Sequence, residues 1–143
     1  MDPDERVLLV RQFRHAAGRL LLEIPAGTLD TADDGTPEDP LLAAKRELEE
    51  ETGMRAGTWR ELGQFFTAPG FATELMHLYL ATDLVPADAD GLGPDEDERL
   101  LLEPVPWREA VARAERGEIH DAKSLVGLFW LARLRESDAG RAS

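Results

Sequence analysis

The chain has 143 residues, enough for one domain, and its 43% hydrophobic content fills one core of ordinary size with no room for a second. Sixteen basic against twenty-nine acidic side chains give a net charge of −13, the wrong sign for holding a nucleic-acid backbone, so nucleic acid is excluded as a bulk partner. With no cysteine, disulfides, thiolate metal sites and a cysteine nucleophile fall away together, and any metal must sit on oxygen or on His15, His77 or His120. Oxygen ligands favour a hard ion. No apolar run reaches the length of a membrane span and the acidic start, Met1 to Glu5, carries no signal segment, so the sequence reads as a cytoplasmic protein without membrane partners. A small anionic substrate stays open, because metal ions and local cations such as Arg11, Arg14 and Arg46 can neutralise its phosphates.

Residues 7–13, led by Val7, Leu8, Leu9 and Val10, form a β-rich run, and residues 19–24 form a second, joined by a turn at 15–18. Pro25, Ala26 and Gly27 end the second run, and the stretch that follows is rich in Asp, Thr and Gly, as an exposed loop is. A helix is predicted over about 40–52: Asp39 is an N-cap, Pro40 a first helical residue, Leu41, Leu42, Lys45 and Leu48 recur at helical spacing, and Gly53 is the stop. Strands are predicted at 59–66 and 76–84, parted by the turn-forming Ala68, Pro69 and Gly70. Residues 85–98 read as a polar, acidic, mobile loop, and 100–105 as another strand. Two helices at 107–116 and 122–135 follow, the second turning Leu125, Leu128, Phe129, Leu131 and Ala132 to the core, and residues 136–143 are expected to fray as a disordered tail. The order of elements points to a single α/β domain over 1–143, an α/β/α sandwich around a mixed β-sheet.

Within the first helix, Arg46, Glu47, Leu48, Glu49, Glu50 and Glu51 concentrate carboxylates. Glu47, Glu50 and Glu51 stand at i, i+3 and i+4 and share a face, with Cβ atoms roughly 5–6 Å apart. Like charges at that spacing destabilise a helix unless a cation sits among them, and Mg²⁺ or Mn²⁺ prefers such oxygen donors. An isolated run of this kind also fits a solvated charged face in which Arg46 pairs with Glu50.

The wider pattern resembles the Nudix box, which runs Gly, five residues, Glu, seven residues, Arg-Glu-apolar-x-Glu-Glu-x-Gly-apolar. Glu38, seven residues, then Arg46, Glu47, Leu48, Glu50, Glu51, Gly53 and Met54 match it. The glycine is Gly27, ten residues before Glu38 instead of five, so the polar loop carries a five-residue insertion around 31–37, where added length costs little. The resemblance implies the Nudix α/β/α sandwich, with metal held by Glu47, Glu50 and Glu51. It gives Arg46 the task of orienting those glutamates and Glu38 a supporting one. Val10 to Arg14, Leu22 to Gly27, Ala68 to Phe71 with Pro69 sixteen residues after Gly53, and Glu118 to Leu125 are similar in order to segments of the ADP-ribose pyrophosphatase group.

That likeness implies Mg²⁺-dependent (alternatively Mn²⁺-dependent) hydrolysis of ADP-ribose to AMP and ribose 5-phosphate by a homodimer. It places the backbone of Ala26 and the side chain of Glu98 among the metal ligands. Glu96 becomes the general base, acting beside Glu50 and Arg46, and Arg14, Glu23 and Gly27 become substrate contacts. For Arg14 and Glu23 a salt bridge between paired strands is the plainer role, for residues 95–98 a solvated acidic loop, and the three histidines are expected to be structural or exposed. Another nucleotide sugar, NADH, an oxidised nucleoside triphosphate, or a non-catalytic nucleotide-sensing domain are the rival readings; retention of Glu47, Glu50 and Glu51 favours an enzyme.

The chain departs from the resemblance at its start. Met1 to Glu5 offers a turn where Nudix domains carry a first strand that hairpins into 7–13. The expectation is an uncovered strand edge there, met either by residues upstream of Met1 or by a second chain.

Overall fold

The computed structural model describes residues 1–87 and 101–141. Strands β1 (Arg6–Arg14) and β2 (Arg19–Glu23) are joined by a single 3-10 turn ending in left-handed Gly18. They are followed by α1 (Pro40–Thr52), β3 (Met54–Phe66), β4 (Leu75–Pro86), β5 (Leu101–Pro106), α2 (Trp107–Glu115) and α3 (Ala122–Arg141).

The strands form a three-stranded sheet ordered β2-β1-β5 and a separate two-stranded sheet of β3 and β4. Every pairing between described strands is antiparallel. The α/β class and three-helix content agree with the sequence reading, while a parallel partnership of the kind a mixed sheet requires is not found among the described residues.

β1 is the centre of the fold, and its sequence shows why. Leu8, Leu9 and Val10 are consecutive and all buried, which a strand achieves only when both of its faces are covered. Leu9 points into a cluster with Leu22, Val105, Trp107, Ile119 and Leu128, beneath α2 and α3. Leu8, facing the other way, meets Leu48 of α1 and Leu84 of β4. Helices thus lie on both faces of β1.

The N-terminal edge expected to be bare is not. β1 is hydrogen-bonded on one side to β2 and on the other to β5, with Arg6 opposite Pro106 and Arg11 opposite Leu101. The turn before it is closed by Asp2, whose Oδ1 accepts from the backbone N–H of Asp4 at 3.1 Å and of Arg6 at 2.8 Å. The N-terminal amine donates to Ala81 O on β4.

Three boundaries also move. β3 begins at Met54, directly after α1, and β4 runs to Pro86, because Met54 to Ala56 pair with Pro86 to Leu84 and extend the ladder past the apolar runs that marked it. Val85 and Pro86, placed in the acidic loop by composition, are therefore strand residues. α3 continues to Arg141, so residues 136–141 are helical where a frayed tail was expected.

Candidate metal and active site

The ends of α1 fix the acidic face in place. Asp39 Oδ1 accepts from the N–H of Leu41 at 3.0 Å and Leu42 at 3.1 Å, Pro40 fills the first turn, and Gly53 at φ 66° ends the helix with its N–H on Glu49 O. Left-handed φ at that position suits glycine. Ala43 and Leu48 are buried. With Leu48 turned to the core, Glu47, Glu50 and Glu51 are left toward the segment that leaves β2.

Arg46 ties the carboxylates together. Its Nη1 donates to Glu47 Oε1 at 2.8 Å and to Glu50 Oε2 at 2.9 Å, and its Nη2 and Nε donate to Glu38 Oε2 at 3.0 Å and Oε1 at 3.3 Å. The hydrogen bonds from Arg46 hold the Glu38 carboxyl below its ordinary range. The pairing of Arg46 with Glu50, which a plain charged helix would also show, is thus one arm of a three-carboxylate network.

The five-residue insertion leaves this network undisturbed because it closes on itself. Thr31 and Pro37 form a bridge, Ala32 N–H reaches Thr36 O at 2.9 Å and Gly35 N–H reaches Ala32 O at 2.8 Å. Below that small hairpin Glu38 N–H donates to Asp30 O at 2.8 Å, and Asp30 N–H donates to Glu38 Oε2 at 3.1 Å. Glu38 is therefore delivered to Arg46 as if the loop were short.

Pro25, Ala26 and Gly27 cross directly in front of α1. Ala26 N–H donates to Glu51 Oε2 at 3.0 Å. A Cβ built on Gly27 would stand 1.8 Å from both Cδ and Oε1 of Glu47, so the Glu47 carboxylate occupies the space that any side chain at 27 would need. Burial pushes the Glu51 carboxyl up to about 7 and raises that of Glu47 as well. Carboxylates whose charge is this poorly compensated are receptive to a cation.

Among the described residues no three acidic or histidine side chains yet converge as a ready ligand cluster. The reason is visible: Arg46 spans Glu47 and Glu50, and Glu51 is turned to Ala26. The donor set nevertheless fits a hard divalent ion, being all oxygen, on adjacent helical turns, with a side-chain-free backbone at Gly27 against Glu47.

Arg14 and Glu23 pair across β1 and β2. Arg14 Nε and Nη2 each donate at 2.8 Å to Glu23 Oε1 and Oε2. The pair reaches inward from the surface: Arg14 keeps 41% of its side chain exposed, whereas Glu23 is 1% exposed and also accepts from Lys123 at the start of α3. Burial pushes the Glu23 carboxyl up, but its bonds from Arg14 and Lys123 outweigh that and leave it below the ordinary range. Asp121, Lys123 and Ser124 belong to the Glu118 to Leu125 segment that carries part of the resemblance, but the sequence assigns them no role at the site. Asp121 is the N-cap that its position before Ala122 suggests, accepting from Ser124 N–H at 3.0 Å, yet nothing local signals that the same residues reach Ile24 and Glu23, about a hundred positions away.

An apolar cavity of about 400 Å³ is lined by residues of both sheets and of α1 and α3, Gly27 and Glu47 among them. Leu78, Leu80, Trp59 and Met76 contribute to its walls, and Lys123 is its one basic residue apart from His77. Glu96 and Glu98, expected as base and ligand, lie outside the described residues, as does most of the 85–98 loop. No helix among the described residues is long and apolar enough to cross a membrane.

The fold and the site together define a recognised class, and the NUDIX domain family model matches residues 1–130. The chain belongs to the Nudix family. An ADP-ribose pyrophosphatase of Mycobacterium tuberculosis is 40% identical over 129 residues, covering 90% of this chain and 60% of that protein. An ADP-ribose pyrophosphatase of Bacillus subtilis is 36% identical over 126 residues, 88% of this chain and 65% of that protein. A crystal structure of an ADP compounds hydrolase superposes with a TM-score of 0.78 at 26% identity, over 94% of this chain and 69% of that one. The chain thus spans 60% and 65% of the length of the two curated relatives.

Proposed function

We propose that this chain hydrolyses the pyrophosphate linkage of ADP-ribose, giving AMP and ribose 5-phosphate, with Mg²⁺ as the metal and Mn²⁺ as a substitute. The observation that carries the reading is the apposition of Gly27 and Ala26 to Glu47 and Glu51, a backbone segment without side-chain obstruction laid on an oxygen-rich helix face. Glu47, Glu50 and Glu51 would hold the metal with the backbone of Ala26, and Glu98 would add a ligand from its loop. A bound divalent ion supplies polarisation of the diphosphate and activation of a water for attack at phosphorus.

The remaining work falls to the chain's own groups. Arg46 keeps Glu47 and Glu50 in register through hydrogen bonds at 2.8 and 2.9 Å. Glu38 fixes the other side of the same guanidinium. Arg14, half of whose fork is spent on Glu23, keeps a positive charge at the mouth of the strand pair, where an anionic substrate gains from it. Glu96 takes the proton from the attacking water. The same reading carries the homodimer and the cytoplasmic location inferred from the sequence.

The test is a panel of nucleoside diphosphate derivatives, ADP-ribose, other nucleotide sugars and NADH, incubated with Mg²⁺ and scored for monophosphate release. The reading expects ADP-ribose to lead the panel in kcat/KM. A different leading substrate would reassign the specificity, and no turnover of any member would favour the non-catalytic, nucleotide-sensing alternative.

A further inference from the structure

β2 ends at Glu23, which pairs with Val10 at the last rung of the ladder, so the N–H of Ile24 has no strand partner. It is instead received by Ser124 Oγ at 2.8 Å. Ser124 is 0% exposed, and its hydroxyl proton goes to Asp121 Oδ2 at 2.6 Å. The same Asp121 oxygen accepts Lys123 Nζ at 2.9 Å. Capping α3 needs only the bond from Ser124 N–H to Asp121; the relay through Ser124 Oγ to Ile24 is additional. Gly127, one turn further along α3, tightens the same grip, since a Cβ there would lie 3.1 Å from Ile24 Cδ1.

The anchored residue stands immediately before the metal-facing segment. Two positions on, Ala26 N–H meets Glu51, and at the third Gly27 faces the Glu47 carboxylate. So short a segment, with proline between anchor and contact, has little slack to absorb a shift at Ile24. An N–H shielded from water and left without an acceptor is unfavourable, and a shift of the backbone toward another acceptor relieves that penalty.

We propose that Ser124 and Asp121 are positioning residues that hold residues 24–27 against the acidic face of α1, so that the start of α3 sets the metal affinity of that face through the backbone of residues 24–27. This rests on the reading of that face as the metal site. Residues that orient ligands in this indirect way commonly change metal affinity ten- to a hundredfold when removed.

The experiment is Mn²⁺ titration of the substrate-free protein, followed by electron paramagnetic resonance of the free ion, for wild type, Ser124→Ala, Asp121→Ala and Val111→Ala. Val111 is a buried residue of α2 in the same core, and its truncation controls for general loss of packing. Ser124→Ala is expected to raise the Mn²⁺ Kd about tenfold or more, Asp121→Ala less in the same direction, and Val111→Ala not at all. Should Ser124→Ala fail to fold, Asp121→Ala carries the test. Unchanged Kd in the folded Ser124 or Asp121 variants, or an equal rise in Val111→Ala, would overturn the inference alone. Absence of saturable Mn²⁺ binding by wild type would overturn the metal-site reading and the inference with it.

Discussion

Gly27→Ala isolates the geometry of the site with one methyl group. The new carbon would sit 1.8 Å from Cδ and Oε1 and 2.3 Å from Oε2 of Glu47, against an ordinary contact near 3.5 Å. The Glu47 carboxylate must therefore retreat by roughly 1.5 Å. Its bond from Arg46, now 2.8 Å, does not survive that displacement unchanged. The obstructing atoms are the free end of a flexible side chain, and Gly27 is not in the left-handed region, so the fold adjusts cheaply. A misplacement of about 1 Å costs on the order of a hundredfold in rate, roughly 2.7 kcal/mol of barrier. Initial rates of ADP-ribose hydrolysis at saturating Mg²⁺, read beside a thermal melt, give the answer. The account expects kcat to fall about a hundredfold with Tm within a few degrees of wild type. A Gly27→Ala enzyme with wild-type kcat would refute the placement of Glu47 at the reaction centre.

Glu47→Gln and Glu51→Gln keep shape but remove the charge a hard cation needs, and each is expected to lower activity by orders of magnitude while circular dichroism stays unchanged. The raised proton affinity of Glu51 has a sign: the folded state favours its neutral form, so the stability it contributes is complete below pH 4.5 and is lost as pH rises through about 7. Metal-free protein in EDTA should lose stability across that window, about 3 kcal/mol from the full shift and about half that after allowing for solvent access, and Glu51→Gln should flatten the profile. A melting temperature independent of pH over this range in wild type would contradict it. In the loop, Glu96→Gln is expected to depress turnover more than Mn²⁺ affinity and Glu98→Gln to weaken both; equal, negligible effects would move the base elsewhere.

The sequence revealed α1 in detail because its signals are local. Asp39, Pro40 and Gly53 start and stop a helix through their own side chains and backbones, and the spacing of Glu38, Arg46, Glu47, Glu50 and Glu51 is itself the motif. The insertion was legible only through the spacing of Gly27 and Glu38 in the resembled box; its closure through the Thr31–Pro37 bridge was not. Strand limits were less so: Met54 and Pro86 carry no strand signal of their own and are strand residues because each has the other as partner. The bare edge expected at β1 failed on the same ground, for its neighbour β5 comes from ninety to a hundred residues away, beside Arg6 and Arg11. Glu23 looked like a surface partner of Arg14 because alternation along β2 says nothing of Lys123, and the bond from Ile24 to Ser124 joins two elements whose proximity only the packed α3 creates.

The central claim, that the carboxylates of α1 facing residues 24–27 make this chain a metal-dependent ADP-ribose pyrophosphatase, is tested most directly by one comparison of AMP release. Wild type and the double variant Glu47→Gln/Glu51→Gln are given ADP-ribose with Mg²⁺ and again with excess EDTA. The account predicts AMP and ribose 5-phosphate in equal amounts from wild type with Mg²⁺ only, and none above background from the folded double variant. Equal AMP release by both proteins, or release by wild type that EDTA leaves unchanged, would contradict it.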